Sequence, residues 1–266
     1  MKGSIRIVLI FALLLGSMAV FGQRKLVNDQ LNWAGGLSVD GDLADWGGQL
    51  KHNNPSQKMS YELRNDDQQL FIAIRIVDQQ RQVQALTQGV RFMLNMEGKK
   101  RPGPAMVFPM VDRISFRSIM STENENRPED IRVGALQSVR GIQVLRIGDL
   151  LDGLISLDNQ YGIEVGAMID QDDALCIEMR LPFSLVTSRD KFTGSQVAYN
   201  IKVGGRGMMS RDAQGQAPSM RTAGSPGGYS GAMPRGGLGT STSREDEGVW
   251  GLIRFAGSKE QLQVLK

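Results

Sequence analysis

Residues 61–78, YELRNDDQQLFIAIRIVD, have the pattern of two β-strands joined by a short turn. Apolar residues occupy every second position of the return run, at Leu70, Ile72, Ile74 and Ile76. Side chains at this spacing share one face of a strand. The positions between them are mostly apolar with one charge, at Arg75, which favours a strand in the middle of a sheet. The acidic, amide-rich break at residues 65–67 suits a tight turn and therefore predicts a hairpin.

A second hairpin is predicted at residues 166–183, GAMIDQDDALCIEMRLPF, where the apolar positions are Leu175, Ile177, Met179 and Leu181. Pro182 cannot donate a hydrogen bond to a neighbouring strand, so we expect this strand to end there. Alternation with a period of two also occurs at residues 90–96, 141–147, 197–203 and 249–255. Together these runs predict an all-β fold, an antiparallel β-sandwich that forms a single domain at residues 23–258.

The first 22 residues have the anatomy of a secretory signal peptide. Lys2 and Arg6 lie at the start, an apolar run follows, and small residues lead up to Gly22. The run is short for a membrane span, so we predict cleavage after Gly22; an uncleaved anchor is the alternative. Cleavage leaves no transmembrane span. The mature protein is then exported, and is periplasmic, displayed on the cell surface or secreted.

The charge and the rare residue types exclude several classes of function. The chain has 31 basic and 28 acidic residues, and because Lys2 and Arg6 belong to the leader, the mature protein is nearly neutral. This balance argues against a nucleic-acid partner. His52 is the one histidine, which excludes a multi-histidine metal site. Cys176 is the one cysteine, so no intramolecular disulfide forms, and its place on a predicted strand favours a buried apolar role.

Three aspartates lie close together in the segment LSVDGDLADWGG, residues 37–48. Asp40, Asp42 and Asp45 are candidate ligands of a calcium ion, because calcium prefers several carboxylate oxygens. The alternative is that they form turns and cap a short helix. Residues 42–46 are predicted to form a loop or a single helical turn whose Trp46 packs onto the sheet.

The composition changes at residue 204. Residues 204–243 include 11 glycines and few branched apolar residues, so they are predicted to form a long flexible insertion within the domain. Such an insertion either contacts a ligand or a partner or has no specific role. The last residues, 259–266, are predicted to be a polar tail.

Four motifs resemble, in order, the carbohydrate-binding module family 9-like domains, which are β-sandwich modules with a DOMON-like fold. They are VDGDLADW at residues 39–46, NDDQQLFIAIRIVD at residues 65–78, EMRLPFSL at residues 178–185 and the closing strand around Trp250. The resemblance implies a jelly-roll or DOMON-like sandwich in an exported bacterial protein. In the strand at residues 90–96 the family often carries an acidic pair, whereas this chain has Gly89, Arg91 and Asn95 in that region.

The resemblance implies a non-catalytic carbohydrate-binding or glycan-associated module of the cell envelope, with a polysaccharide or another glycan as partner. Because sugar rings stack on aromatic side chains, Trp33, Tyr161 and Tyr199 are the candidate ligand-binding residues, with Tyr229 in the glycine-rich segment. No cofactor is expected other than a calcium ion at the three aspartates.

Two other classes of function are open. An envelope scaffold that binds a partner protein through residues 204–243 is the second hypothesis. Related sandwiches also hold haem, for which His52 is the one histidine available. An enzyme is not expected, because the sequence has no nucleophile motif and its acidic residues cluster mainly in turns.

Overall fold

The computed structural model describes residues 27–121, 128–186, 196–204 and 248–257. The strands in these ranges are β1 (Val27–Gln30), β2 (Asn32–Trp33), β3 (His52–Asn54), β4 (Met59–Asn65), β5 (Gln69–Ile76), β6 (Val90–Asn95), β7 (Ala105–Val111), β8 (Val139–Leu145), β9 (Gly153–Ile155), β10 (Glu164–Ile169), β11 (Leu175–Pro182), β12 (Val197–Val203) and β13 (Val249–Arg254). The α-helices are α1 (Gln79–Gln88), α2 (Arg113–Ser121) and α3 (Pro128–Gln137). The predicted signal peptide, residues 205–243 of the predicted insertion and the predicted polar tail lie outside the described residues.

The described strands form two sheets. The seven-stranded sheet has the order β1-β13-β12-β6-β7-β8-β9. The six-stranded sheet has the order β10-β11-β5-β4-β2, and β3 also pairs with β4. The chain passes from one sheet to the other at Leu31, between β1 and β2, and Leu31 is buried in the core. The all-β prediction is therefore confirmed in part, since the described residues form a mostly β fold with two sheets.

The inward-facing side chains of both sheets belong to one hydrophobic core. Ile74 and Ile177 contribute from the six-stranded sheet, and Phe92 contributes from the seven-stranded sheet. Inside this core the hydroxyls of Tyr61 in β4 and Tyr199 in β12 lie 3.0 Å apart. Burial of this apolar surface is the main force that holds the two layers together.

Both predicted hairpins are confirmed. β4 pairs with β5 in an antiparallel register, and the Asp66 carboxylate in the turn accepts hydrogen bonds from the backbone N–H groups of Gln68 and Gln69, both at 2.7 Å. β10 pairs with β11, and Asp173 in that turn has a φ of 61°. β11 ends at Pro182 as predicted, and a 3₁₀ helix (Phe183–Leu185) follows.

The prediction of purely antiparallel sheets needs correction. β1 runs parallel to β13, and β2 runs parallel to β4. The partners in each pair are separated by long stretches of chain, so no hairpin turn in the sequence indicates that they pair. Two further strands, β3 and β9, lie in stretches for which the sequence predicts no strand. Three-residue strands are too short to show alternation.

The all-β prediction also needs correction, because helices connect several strands. α1 begins after Asp78, whose carboxylate accepts a hydrogen bond from the backbone N–H of Arg81 at 3.0 Å. α2 follows β7, with Asp112 between them. Asp112 caps α2 by accepting hydrogen bonds from the N–H of Ser115 at 3.0 Å and from its hydroxyl at 2.7 Å. None of the described helices is long and apolar enough to cross a membrane.

A buried polar network joins two of the helices to the ends of the strands. The Arg132 side chain of α3 is buried, and its guanidinium donates to Oε1 of Gln82 in α1 and, at 2.7 Å, to Oδ1 of Asp173. Gln82 Nε2 donates to the carbonyl oxygens of Ile76 at 2.9 Å and Asp173 at 2.7 Å. These hydrogen bonds hold α1 and α3 against the end of β5 and the β10–β11 turn.

Candidate functional site

The segment between β2 and β3 packs on the outer face of the six-stranded sheet. The buried carboxylate of Glu178 in β11 accepts hydrogen bonds from the backbone N–H groups of Asp40 at 3.1 Å and Gly41 at 2.7 Å, and from the indole N–H of Trp46 at 2.7 Å. Burial raises the pKa of Glu178, although these donors oppose the shift. A Cβ on Gly166 would lie 2.5 Å from the backbone of Asp40, so the segment lies directly on β10. Trp46 therefore packs onto the sheet as predicted.

The three aspartates proposed as calcium ligands make turn and capping contacts. Asp40 accepts from the N–H of Asp42 at 2.8 Å, and Asp42 accepts from the N–H of Ala44 at 3.0 Å, which caps the 3₁₀ helix at Leu43–Trp46. Asp45 accepts from the hydroxyl of Ser38 at 2.5 Å, and this bond lowers the pKa of Asp45. Within the described ranges, no group of three or more histidine, cysteine, aspartate or glutamate side chains is placed to hold a metal ion. The geometry favours the capping alternative.

The aromatic residues predicted to bind a ligand are far apart in the fold. Trp33 lies in β2 at one edge of the six-stranded sheet, and Tyr161 precedes β10 at the opposite edge. Tyr199 is fully buried in the core beside Tyr61, and burial raises its pKa. Tyr229 lies outside the described residues. These side chains do not form one binding surface.

His52 lies at the start of β3, and its side chain is half-buried in a cluster of charged groups. Its Nε2 lies 2.8 Å from Asp29 Oδ2, and Lys51 Nζ donates to Asp29 Oδ1 at 2.6 Å. Burial raises the pKa of Asp29, but the hydrogen bonds and charges of Lys51 and His52 outweigh it and leave the pKa lowered. The cluster links β1 of one sheet to β3 of the other, and it engages one of the two ring nitrogens of His52.

Cys176 in β11 is buried, and its thiol donates to Asp170 Oδ2 at 3.5 Å. Burial, with the charge of Asp170, raises the pKa of this thiol to about 12. Because the thiolate is the reactive form, we expect the folded protein at pH 8 to react with an aromatic disulfide reagent at least about a hundredfold more slowly than the unfolded protein. The absorbance of the released thiolate measures both rates. Equal rates would contradict the buried position.

The outer face of the seven-stranded sheet carries a group of polar and aromatic side chains near its centre. Trp250 in β13 lies directly opposite Asn200 in β12, and Asn200 lies opposite Met93 in β6. Arg91, the neighbouring outward residue of β6, lies opposite Lys202. We refer to Arg91, Asn200, Lys202 and Trp250 as the polar face.

Hydrogen bonds hold the centre of the polar face in one arrangement. Arg91 Nη2 donates to Asn200 Oδ1 at 3.0 Å, and Asn200 Nδ2 donates to the carbonyl oxygen of Val249 at 3.2 Å. Arg91 and Asn200 are buried and form a floor, whereas Trp250 and Lys202 are half-buried and form its rim. Burial lowers the pKa of Arg91, but a guanidinium stays charged in proteins. The half-buried indole of Trp250 therefore lies beside a buried, hydrogen-bonded pair of planar polar groups.

The sequence placed Arg91 and Trp250 on strands but did not assign them to a site. The available signal was a polar or aromatic residue at the outward position of strands whose other face is apolar. Comparison of the chain with protein-family models, with curated proteins and with solved structures finds no match. The resemblance to family 9-like modules therefore stays a prediction, and the polar face has to be interpreted from its own chemistry.

Proposed function

We propose that this protein is a non-catalytic carbohydrate-binding or glycan-associated module of the cell envelope, and that the polar face is where it binds sugar. The observation that carries the proposal is the position of Trp250 directly opposite Asn200, whose amide is hydrogen-bonded to Arg91. The four residues of the polar face include no carboxylate, the group that glycoside hydrolysis uses in pairs.

The chemistry of the polar face suits a sugar ring. Pyranose rings have apolar C–H faces that stack on an indole, and hydroxyl groups that bond to planar polar side chains. Trp250 supplies the indole, and the Arg91–Asn200 bond holds the floor beside it rigid. A floor that is ordered before the ligand arrives lowers the entropic cost of binding.

The fold and the leader support the same function. Two sheets around one core, with hairpins at residues 61–78 and 166–183, agree with a jelly-roll or DOMON-like sandwich. Binding modules of this architecture present ligands on a sheet face or at loops beside it. The predicted signal peptide implies export, so we propose that the glycan is a component of the envelope or of the surroundings of the cell.

Trp250→Ala is expected to weaken glycan binding at least about tenfold, because stacking and apolar burial on the indole are both lost. The mature chain from Gln23 is first screened on a broad glycan array with calcium present. The affinity for a glycan that binds is then measured by isothermal titration calorimetry for the parent and the variant.

Trp33→Ala is the matched control, because Trp33 is also partly buried on a strand but lies at the edge of the other sheet. We expect this variant to keep the parent affinity. Chemical denaturation of both variants shows whether a loss of binding reflects a loss of folding. A parent protein that binds no glycan would contradict the proposed function. Equal losses for the two variants would contradict the assignment to the polar face.

A further inference from the structure

An exposed apolar edge lies at the far end of the seven-stranded sheet from β1. Among the described strands, β9 pairs only with β8, so its other side offers unpaired backbone groups. Three leucines in and beside β9 are exposed: Leu151 at 91%, Leu154 at 57% and Leu157 at 43%. We refer to these three residues together with β9 as the leucine edge.

The leucine edge lacks the protection that two other edge strands, β1 and β10, have. Natural proteins discourage pairing at sheet edges with charged side chains and ion pairs. β1 carries Asp29, which is bonded to Lys51, and β10 carries Glu164, which is paired with Arg180. β9 has the sequence Gly-Leu-Ile and no charge. An exposed apolar edge of this kind suits strand addition by another chain.

The charge around the leucine edge indicates what kind of chain it accepts. Residues 149–158, DLLDGLISLD, contain Asp149, Asp152 and Asp158 and no lysine or arginine. All three aspartates are exposed. Acidic side chains on both flanks of an apolar strand complement a segment that alternates apolar and basic residues. A second copy of this edge fits poorly, because its aspartates would face their own counterparts.

We propose that the leucine edge binds an extended, basic segment of another protein, which adds to the sheet as a further strand beside β9. Backbone hydrogen bonds to β9 supply affinity, and apolar side chains of the segment pack on Leu154. Its lysine or arginine side chains lie near Asp149, Asp152 and Asp158. This surface is separate from the polar face, and the inference holds whether or not the protein binds a glycan.

The test uses a labelled peptide with the sequence KVKVKVKV and the mature full chain, with binding measured by fluorescence anisotropy. We expect binding that weakens as salt is raised, because the attraction between the aspartates and the lysines is screened. The peptide EVEVEVEV is expected not to bind. Leu154→Asn and Leu151→Asn are each expected to weaken binding at least about tenfold, since each removes apolar contact and leaves the charge of the edge unchanged.

Val77→Asn is the control, because Val77 is 58% exposed but lies beyond the end of β5 in the other sheet. It is expected to bind the basic peptide as the parent does. Leu151 lies outside β9, so Leu151→Asn keeps the test valid if Leu154→Asn fails to fold. Parent-like binding by a folded variant of either leucine would overturn the proposal. A parent dimer that Leu151→Asn converts to a monomer in sedimentation would also overturn it, since the occupant would be a second copy.

Discussion

Glu178→Leu is expected to lower the free energy of unfolding by about 3 kcal/mol. The Glu178 carboxylate accepts three hydrogen bonds, from the backbone N–H groups of Asp40 and Gly41 and from the Trp46 indole. Leucine removes the acceptor and leaves these donors without it, and each buried donor left unpaired costs about 1–3 kcal/mol. Denaturation in guanidinium chloride, followed by circular dichroism, measures the loss.

The matched control is Glu164→Leu, the same substitution on the neighbouring strand β10. Glu164 is exposed and its one described ion pair is with Arg180, so we expect a loss of less than about 1 kcal/mol. Glu178→Leu should also expose the Trp46 indole, which reddens its fluorescence in a background with Trp33 and Trp250 replaced by phenylalanine. Equal losses for the two variants, or unchanged Trp46 fluorescence, would show that Glu178 does not anchor this segment.

The strands with a clear period of two could be predicted from sequence, and the helices could not. In β5 the positions Leu70 to Ile76 alternate and the adjacent turn is acidic, so local chemistry and the final fold agree. In α1 the buried positions include Gln82, and in α3 the most deeply buried large side chain is Arg132. These two polar residues bond to each other, so their burial depends on a contact between separate helices. A search for apolar periodicity misses helices of this kind.

The candidate site could not be predicted from the sequence, for a different reason. Arg91, Asn200 and Trp250 lie on three strands that are far apart along the chain, and only the register of β6, β12 and β13 makes them neighbours. The aromatic residues were chosen by residue type, which does not indicate burial. Tyr199 shares its strand face with Val197, Ile201 and Val203, so the period of two already places it toward the core. The pairing order of a sheet is set by long-range packing, which local patterns do not encode.

Gly251→Ala is expected to lower the free energy of unfolding by about 3 kcal/mol, the upper end for overpacking a core. Gly251 in β13 lies opposite Tyr199, and a Cβ at this position would overlap with the Tyr199 ring and hydroxyl. Tyr199 is fully buried and its hydroxyl lies 3.0 Å from that of Tyr61, so the ring cannot move without losing that contact and disturbing the core. Thermal and guanidinium denaturation measure the change.

Two comparisons separate this steric effect from the general cost of alanine in a strand. Gly153→Ala in β9 meets no atom within 4 Å and is expected to leave stability unchanged or to raise it by about 0.5 kcal/mol, because alanine restricts the unfolded chain. Tyr199→Leu removes the aromatic ring, so adding Gly251→Ala to it should cost at least about 1 kcal/mol less than in the parent. A loss that is the same in both backgrounds would place the clash elsewhere. A coupled loss would show that β13 needs glycine at residue 251 because the tyrosine pair between the two sheets occupies the space of a side chain.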